Sequence, residues 1–311
     1  MNTHTPDLRI GIIGCDTSHA TAFAQILNDE AADDHLPGAR VVAAFKTFSP
    51  DIEWSRTRVD EYVAELRGKH GVKMTGSIGE LCSGVDAVIV GSVDGRPHLA
   101  QARAVIAAGK SVFVDKPLAA NLPDALEIVR LAEEADVPLW TGSAYRWYPS
   151  LRELMNTDVG EIRGAISFGP AHLNEHHPDF YFYGIHPAEA LYTVLGTGCE
   201  SVSRTKTGDT DVVVGQWTGG RTGTLIGPRT KPLPHQVSVF GSTGFAQQKS
   251  GAESYAPLVA QFVKFFQTGQ PPVSHDETLE MYTFMEAADE SVRRGGAPVK
   301  LVEVLAKARG K

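Results

Sequence analysis

From Leu8 to Thr141 the chain alternates short apolar or β-branched runs with stretches of helical period, and that rhythm constrains the fold more than any other feature. It is the pattern of repeated βαβ units, in which parallel strands lie side by side under helices on both faces. Strands are predicted at LRIGII (8–13), RVVAAF (40–45), VDAVIV (85–90), SVFV (111–114) and VPLW (137–140). Between the last two, Asn121 is placed to cap a helix and Pro123 suits its first turn. Leu126, Val129, Ala132 and Ala135 then fall on one side at steps of three or four, which leaves Glu127 and Arg130 to face water.

After Tyr145 the rhythm changes. Longer strands follow one another without helices between them: 161–169, 201–207, 210–220, 221–227 and 235–244, several alternating in polarity and separated by glycine-containing turns. Gly219-Gly220 between two of them signals a hairpin. Two amphipathic helices, 254–269 and 277–296, close the pattern, each stopped by glycine. The predicted fold is α/β: an amino-terminal Rossmann-like doubly wound parallel sheet, then an α+β domain with a large, mostly antiparallel open sheet. At 311 residues two domains are the default. They are placed at 1–145 and 146–311, with the border within 145–151.

Composition narrows the ligand. A net charge of -8, with no lysine-arginine run to offset it, argues against nucleic acid, whose phosphates demand a basic face. A small molecule is the expected partner. Cys15, Cys82 and Cys199 are too few and too far apart for a disulfide framework or a Cys-x-x-Cys metal site, which suits a reducing compartment. No apolar run approaches the roughly 20 residues that span a bilayer, and the start MNTHTPDL has no signal-peptide pattern, so a cytoplasmic protein without a membrane partner is expected.

Three places carry candidate chemistry. The strand 111–114 ends in Asp115-Lys116-Pro117, which puts a lysine at the carboxyl end of a parallel strand, where open α/β sheets bind ligands. The first strand runs into GIIGCDTSHATAF (11–23), with a helix starting near Thr17 or Ser18. In a dinucleotide fold such a turn brings backbone N–H groups and a helix N-terminus to the pyrophosphate. Read from Gly14, however, the Gly-x-Gly-x-x-Gly register gives Gly14, Asp16 and His19. Two readings stand: a displaced or weakened cofactor, or a plain helix cap by Asp16 or Thr17. The second strand, which usually ends in an acid for the ribose hydroxyls, leads instead to Lys46 with Thr47 and Ser49, which favours NADP over NAD.

The segment 169–186 crowds four histidines with Glu175 and Asp179. Its HLNEH (172–176) matches the inverted zinc-protease pattern, which works only on a helix, and the flanking glycine and prolines oppose one. A non-helical site through His172, His176 or His177 supports a second hypothesis, a metal-dependent lyase or hydrolase acting on a sugar. No bound metal is expected.

With KSVFVDKPL, the degenerate GIIGCDTSH turn, SAYRW (143–147), YFYGIHPAEALYTVLG (181–196) and the GSTGFAQQ, FVKFFQTGQPP and EAADESVRRGG segments in order, the chain resembles the Gfo/Idh/MocA oxidoreductases. The resemblance implies a Rossmann domain, an α/β domain whose open sheet often forms the oligomer contact, and NAD(P)-linked chemistry at a sugar or polyol carbon. It implies that Lys116 sits by the nicotinamide and substrate hydroxyl, and that His186 is the acid/base. Many members carry an aspartate four residues before that histidine, where this chain has Phe182. Tyr181, Tyr183, Asp179 or Glu189 is the expected substitute.

The expected function is therefore an NAD(P)-dependent dehydrogenase or reductase acting on a secondary alcohol or its ketone. Lys116 and His186 are catalytic. Gly11, Gly14, Cys15, Asp16, Thr17, Ser18, His19, Lys46, Ser92, His98, Asp115 and Lys116 hold the cofactor. Tyr145, Arg146, His177, Asp179, Tyr183 and His186 meet the substrate, Arg146 either gripping a carboxylate or hydroxyls or forming a salt bridge at the domain border. A homo-oligomer, dimer or tetramer, is expected through the second sheet. A third hypothesis is a non-catalytic binding protein that keeps the fold with an eroded cofactor site.

Overall fold

A computed structural model describes residues 7–230, 233–251 and 253–310. Its first strands and helices follow the predicted alternation: β1 (Leu8–Ile13), α1 (Ser18–Asn28), β2 (Ala39–Phe45), α2 (Glu53–Gly68), β3 (Lys73–Met74), α3 (Ile78–Ser83), β4 (Ala87–Val90), α4 (His98–Ala107), β5 (Ser111–Asp115), α5 (Leu122–Glu134) and β6 (Leu139–Gly142). The six strands form one parallel sheet in the order β3-β2-β1-β4-β5-β6. Helices cover both faces, so the central strands are mostly apolar: all of β4 is buried, as is Val112–Asp115 of β5. The strand order reverses direction between β1 and β4, and the crevice beyond their carboxyl ends is where such sheets take ligands. Asn121 caps α5 by accepting from the Asp124 N–H at 2.8 Å, as predicted.

The chain continues through α6 (Pro149–Met155), β7 (Ile162–Phe168), α7 (Ile185–Leu195), β8 (Cys199–Lys206), β9 (Thr210–Trp217), β10 (Thr222–Pro228), β11 (Gln236–Gly241), β12 (Phe245–Gln247), α8 (Ala256–Thr268), α9 (His275–Arg293), β13 (Val299–Lys300) and α10 (Leu301–Ala308). The second sheet has the order β12-β11-β7-β10-β9-β8-β13, and only the β7/β10 pairing is parallel. Gly219 and Gly220 turn β9 into β10 with φ of 73° and 75°, values that L side chains adopt at a cost. Among the described residues no helix is long and apolar enough to cross a membrane.

The chain divides into two compact units. One comprises the residues up to Ala119, with Glu127–Gly142 and Ser254–Val273, and the other comprises Ala120–Leu126, Ser143–Glu253 and Ser274 onward. The expected 1–145 and 146–311 division differs from this in three segments: Ala120–Leu126, residues 143–145 and the stretch containing α8. Phe262 of α8 stacks within 5.3 Å of both Phe23 and Phe113, and Phe265 meets Trp140 at 5.9 Å, so α8 completes the first core. Its amphipathic pattern foretold burial but not which core would receive it.

The second unit holds a buried ionic knot. Arg204 on β8 lies over the Phe180 ring at 4.6 Å, donates to Asp211 at 2.8 Å and Asp179 at 3.2 Å, and pairs with Asp289 on α9. Lys206 also takes Asp179, at 2.5 Å.

Candidate functional site

The first unit presents the phosphate-type turn. Gly14 has φ +88°, and a Cβ there would lie 2.4 Å from the Ser92 backbone nitrogen, so only glycine permits the turns after β1 and β4 to approach. Thr17 caps α1, its hydroxyl accepting from the His19 N–H at 3.4 Å. Asp16 does not face a ligand. It is 2% exposed, one oxygen accepting from Ser55 Oγ at 2.6 Å and the other from the Val93 N–H at 3.2 Å. Burial raises its pKa, with those hydrogen bonds opposing the rise. The outward residues of the turn are half-buried Thr17 and exposed Ser18. Neutral hydroxyls at a helix N-terminus fit a diphosphate, and the carboxylate that would have repelled it is turned inward.

Several expected cofactor residues are corrected to internal roles. Gly11 lies inside β1, where a Cβ would strike Leu81 at 2.6 Å. The Cys15 thiol is buried against the Phe45 carbonyl, and burial pushes it up to about 12. Ser92 Oγ exchanges hydrogen bonds with the Gln101 amide at 2.9 and 3.2 Å. His98 is fully buried between the Pro117 carbonyl at 2.7 Å and the Ser92 carbonyl at 2.9 Å, which braces the end of β4 against the turn after β5. Burial lowers its pKa. Lys46 is exposed and pairs with Asp60 at 2.5 Å.

At the end of β5, Asp115 is buried and its Oδ2 lies 2.6 Å from His19 Nδ1. Lys116 follows, half-buried, and its peptide bond to Pro117 is cis. Its ammonium makes no hydrogen bond or ion pair with a described residue.

The second unit assembles a wall of rings around the first turn of α7. His186, its second residue, places Nδ1 2.8 Å from Ser143 Oγ. A hydroxyl partner suits both protonation states, since it accepts from imidazolium N–H and donates to a neutral ring nitrogen. Rings follow in a chain: His172 to Tyr183 at 4.9 Å, Tyr183 to His186 at 4.9 Å, His186 to His235 at 5.6 Å and His235 to Tyr145 at 4.5 Å. Burial, with His172 nearby, pulls His235 down to about 4, so it is neutral at pH 7. Burial raises the Tyr183 phenol. Phe182 is buried, 5.2 Å from the His177 ring.

The structure spends other expected substrate residues elsewhere. Arg146 is buried, pairing with Glu189 and with Glu277 at 2.6 Å, so the salt-bridge reading describes it and the cleft reading is corrected. Burial raises Glu189, with Arg146 opposing. Burial would raise the Asp179 carboxyl, but Arg204 and Lys206 outweigh it and hold it below the usual range. Tyr181 donates to the Tyr282 carbonyl at 3.3 Å and to Glu286 at 3.1 Å. Tyr145 presents its ring, while its hydroxyl donates to Gln248 at 3.0 Å. His177 is buried with Nδ1 3.1 Å from the Pro178 carbonyl. Of the substitutes for the missing aspartate, Tyr183 stands against His186, ring to ring at 4.9 Å.

Residues 171–178 contain no helix, so the HLNEH histidines share no helical face. His172 Nδ1 meets the Arg229 carbonyl at 3.0 Å, His176 pairs with Glu175, and among the described residues no group of three His, Cys, Asp or Glu could hold a metal. Ser143 and His235 were missed as site residues. His235 had no motif around it, and only the folded sheet brings it to His186.

Comparison with known proteins agrees with this architecture. Residues 8–143 match the model of the Gfo/Idh/MocA oxidoreductase family, described as an NAD-binding Rossmann fold. Inositol 2-dehydrogenase of Cereibacter sphaeroides is 34% identical over 182 residues, which are 56% of this chain and 48% of that protein. The chain spans about half the length of the curated relatives it matches. A probable dehydrogenase from Thermotoga maritima has a solved structure with TM-score 0.76 at 25% identity, covering 96% of this chain and 100% of that one. GenD2 from gentamicin A biosynthesis, solved in complex with NAD, has TM-score 0.76 at 19% identity over 95% of this chain and 97% of its own. Fold and comparisons together define a class: a domain like the NAD-binding Rossmann fold of an oxidoreductase family, followed by a unit built on a mixed sheet. Within that class, residues 8–143 match the Gfo/Idh/MocA oxidoreductase family.

Proposed function

We propose that this protein is an NAD(P)-dependent dehydrogenase or reductase that moves a hydride between a nicotinamide and a secondary alcohol or ketone of a sugar, polyol or related small molecule. The α1 N-terminus with Thr17 and Ser18 would hold the diphosphate, and Lys116 would stand by the reacting groups. When bound, the nicotinamide supplies the hydride acceptor or donor. Lys116 stabilises negative charge developing on the substrate oxygen. His186 takes the hydroxyl proton on one ring nitrogen while Ser143 holds the other, and Tyr183 and Tyr145 provide flat walls suited to a hydroxylated ring.

The observation that carries this reading is the half-buried Lys116 at the carboxyl end of β5, whose ammonium lies near enough to Asp115 to help lower its carboxyl pKa but makes no hydrogen bond or ion pair with a described residue. The inward turn of Asp16 weighs against a non-catalytic binding protein, whose main support was the eroded phosphate loop. His186→Asn should lower kcat about 10²-fold or more with little change in cofactor Kd. An unchanged kcat would assign the proton to another group.

Lys46 at the end of β2 favours NADP, its cation being available to a 2'-phosphate in exchange for Asp60. Lys46→Asp should move preference towards NAD, and an unmoved ratio of kcat/KM values would remove Lys46 from cofactor choice. The protein acts in the cytoplasm as a homo-oligomer assembled through the second sheet. Cell fractionation and solution mass test those two assignments.

A further inference from the structure

In the Gly-x-Gly-x-x-Gly turn the third glycine lets the helix press close to the strand, and this chain has His19 there. The imidazole is anchored on two sides. Its Nδ1 lies 2.6 Å from Asp115 Oδ2, with the two side chains 10% and 2% exposed. Its ring packs against Tyr255 at 4.6 Å and Phe23 at 5.3 Å. Burial would raise the Asp115 carboxyl, but His19 and Lys116 outweigh it and hold it below the usual range. An ionised carboxylate only accepts, so the Nδ1 facing it carries the proton. The nitrogen left for a ligand is Nε2, which has no hydrogen bond to a described residue. The other Asp115 oxygen, Oδ1, is buried with no partner either, so the carboxylate is committed to His19.

We propose that His19, oriented by Asp115, binds the diphosphate of the nicotinamide dinucleotide, its Nε2–H donating to a phosphate oxygen in place of the close backbone approach that glycine allows. The assignment rests on the NAD(P) reading and adds a residue to it. Ser18 and Thr17 at the same helix end supply hydroxyls, and the His19 ring supplies an N–H. The titratable groups around the ring are Asp115 and Lys116 at the end of β5, Tyr255 ahead of α8 and, beyond Asp115, His98 on α4. Asp16, three residues earlier, is held by Ser55 and Val93.

The test is the Kd of NADH and NADPH for the full chain, read by nicotinamide fluorescence. His19→Gln, whose amide can still donate to Asp115, should bind about tenfold more weakly than the wild type, the scale of one charge-assisted hydrogen bond. Asp115→Asn, which removes the carboxylate that orients the ring, should weaken binding by a similar factor, an outcome that stands even if His19→Gln fails to fold. Wild-type Kd in both variants would overturn the proposal and leave the NAD(P) reading intact. A wild type that binds neither nucleotide at millimolar concentration would overturn both.

Discussion

His235 shows how one residue's environment becomes a property of the protein. Its imidazole is held at about 4 in the fold against an ordinary 6.5, so between those values the unfolded chain binds more protons than the native one. The stability this gives is present above about 6.5 and is lost as pH falls towards 4. The loss should reach up to about 3 kcal/mol. Urea unfolding of the wild type and His235→Gln across that interval checks it: the variant should lose less stability on acidification, and parallel curves would show that another group titrates. None of this was legible in the sequence, because the neighbours that bury His235 come from distant segments. Asp16 is similar. Its motif position suggested a carboxylate facing phosphate, and Ser55, far along the chain, decides that it turns inward. Lys116 was legible because its place follows from the strand it ends.

At the scale of elements, legibility followed length and burial. β1, β4 and β5 announced themselves as apolar runs, and β8 to β11 by alternation bounded by glycine turns. β3 and β13 have two residues each and β12 has three, too few to show any period. α10, at eight residues, was also missed. The β9–β10 hairpin was read from Gly219-Gly220, and it makes a sharp prediction. Gly220→Val forces a β-branched residue to φ near 75° and should cost about 2 kcal/mol. Thermal unfolding measures this, and an unchanged Tm would show that the turn has another conformation.

For the molecule as a whole, the second sheet leaves an apolar outer face. Val212 and Val214 on β9 are each 37% exposed, Phe240 on β11 is 39% exposed and Phe245 on β12 is 58% exposed. Alternation fixes the face: Val213 between the two β9 valines is fully buried, as is Leu225 on β10. Phe240 and Phe245 are cross-strand partners with rings 5.4 Å apart. Assembly through this face predicts a multiple of the 33.5 kDa chain mass by light scattering, reduced towards one chain in Val214→Lys/Phe245→Lys. A wild type running as a single chain would remove the assembly from the account.

The central claim is hydride transfer to or from a nicotinamide. Its most direct measurement follows reduced nicotinamide by absorbance while the purified protein, with NAD or NADP, is offered a panel of sugars and polyols. The account predicts that reduced cofactor accumulates with at least one of them, and that Lys116→Ala, still folded by circular dichroism, loses that turnover by about 10²-fold or more. Turnover in Lys116→Ala equal to wild type, or no reduced cofactor with any member of the panel from a protein that binds the nucleotide, would contradict it.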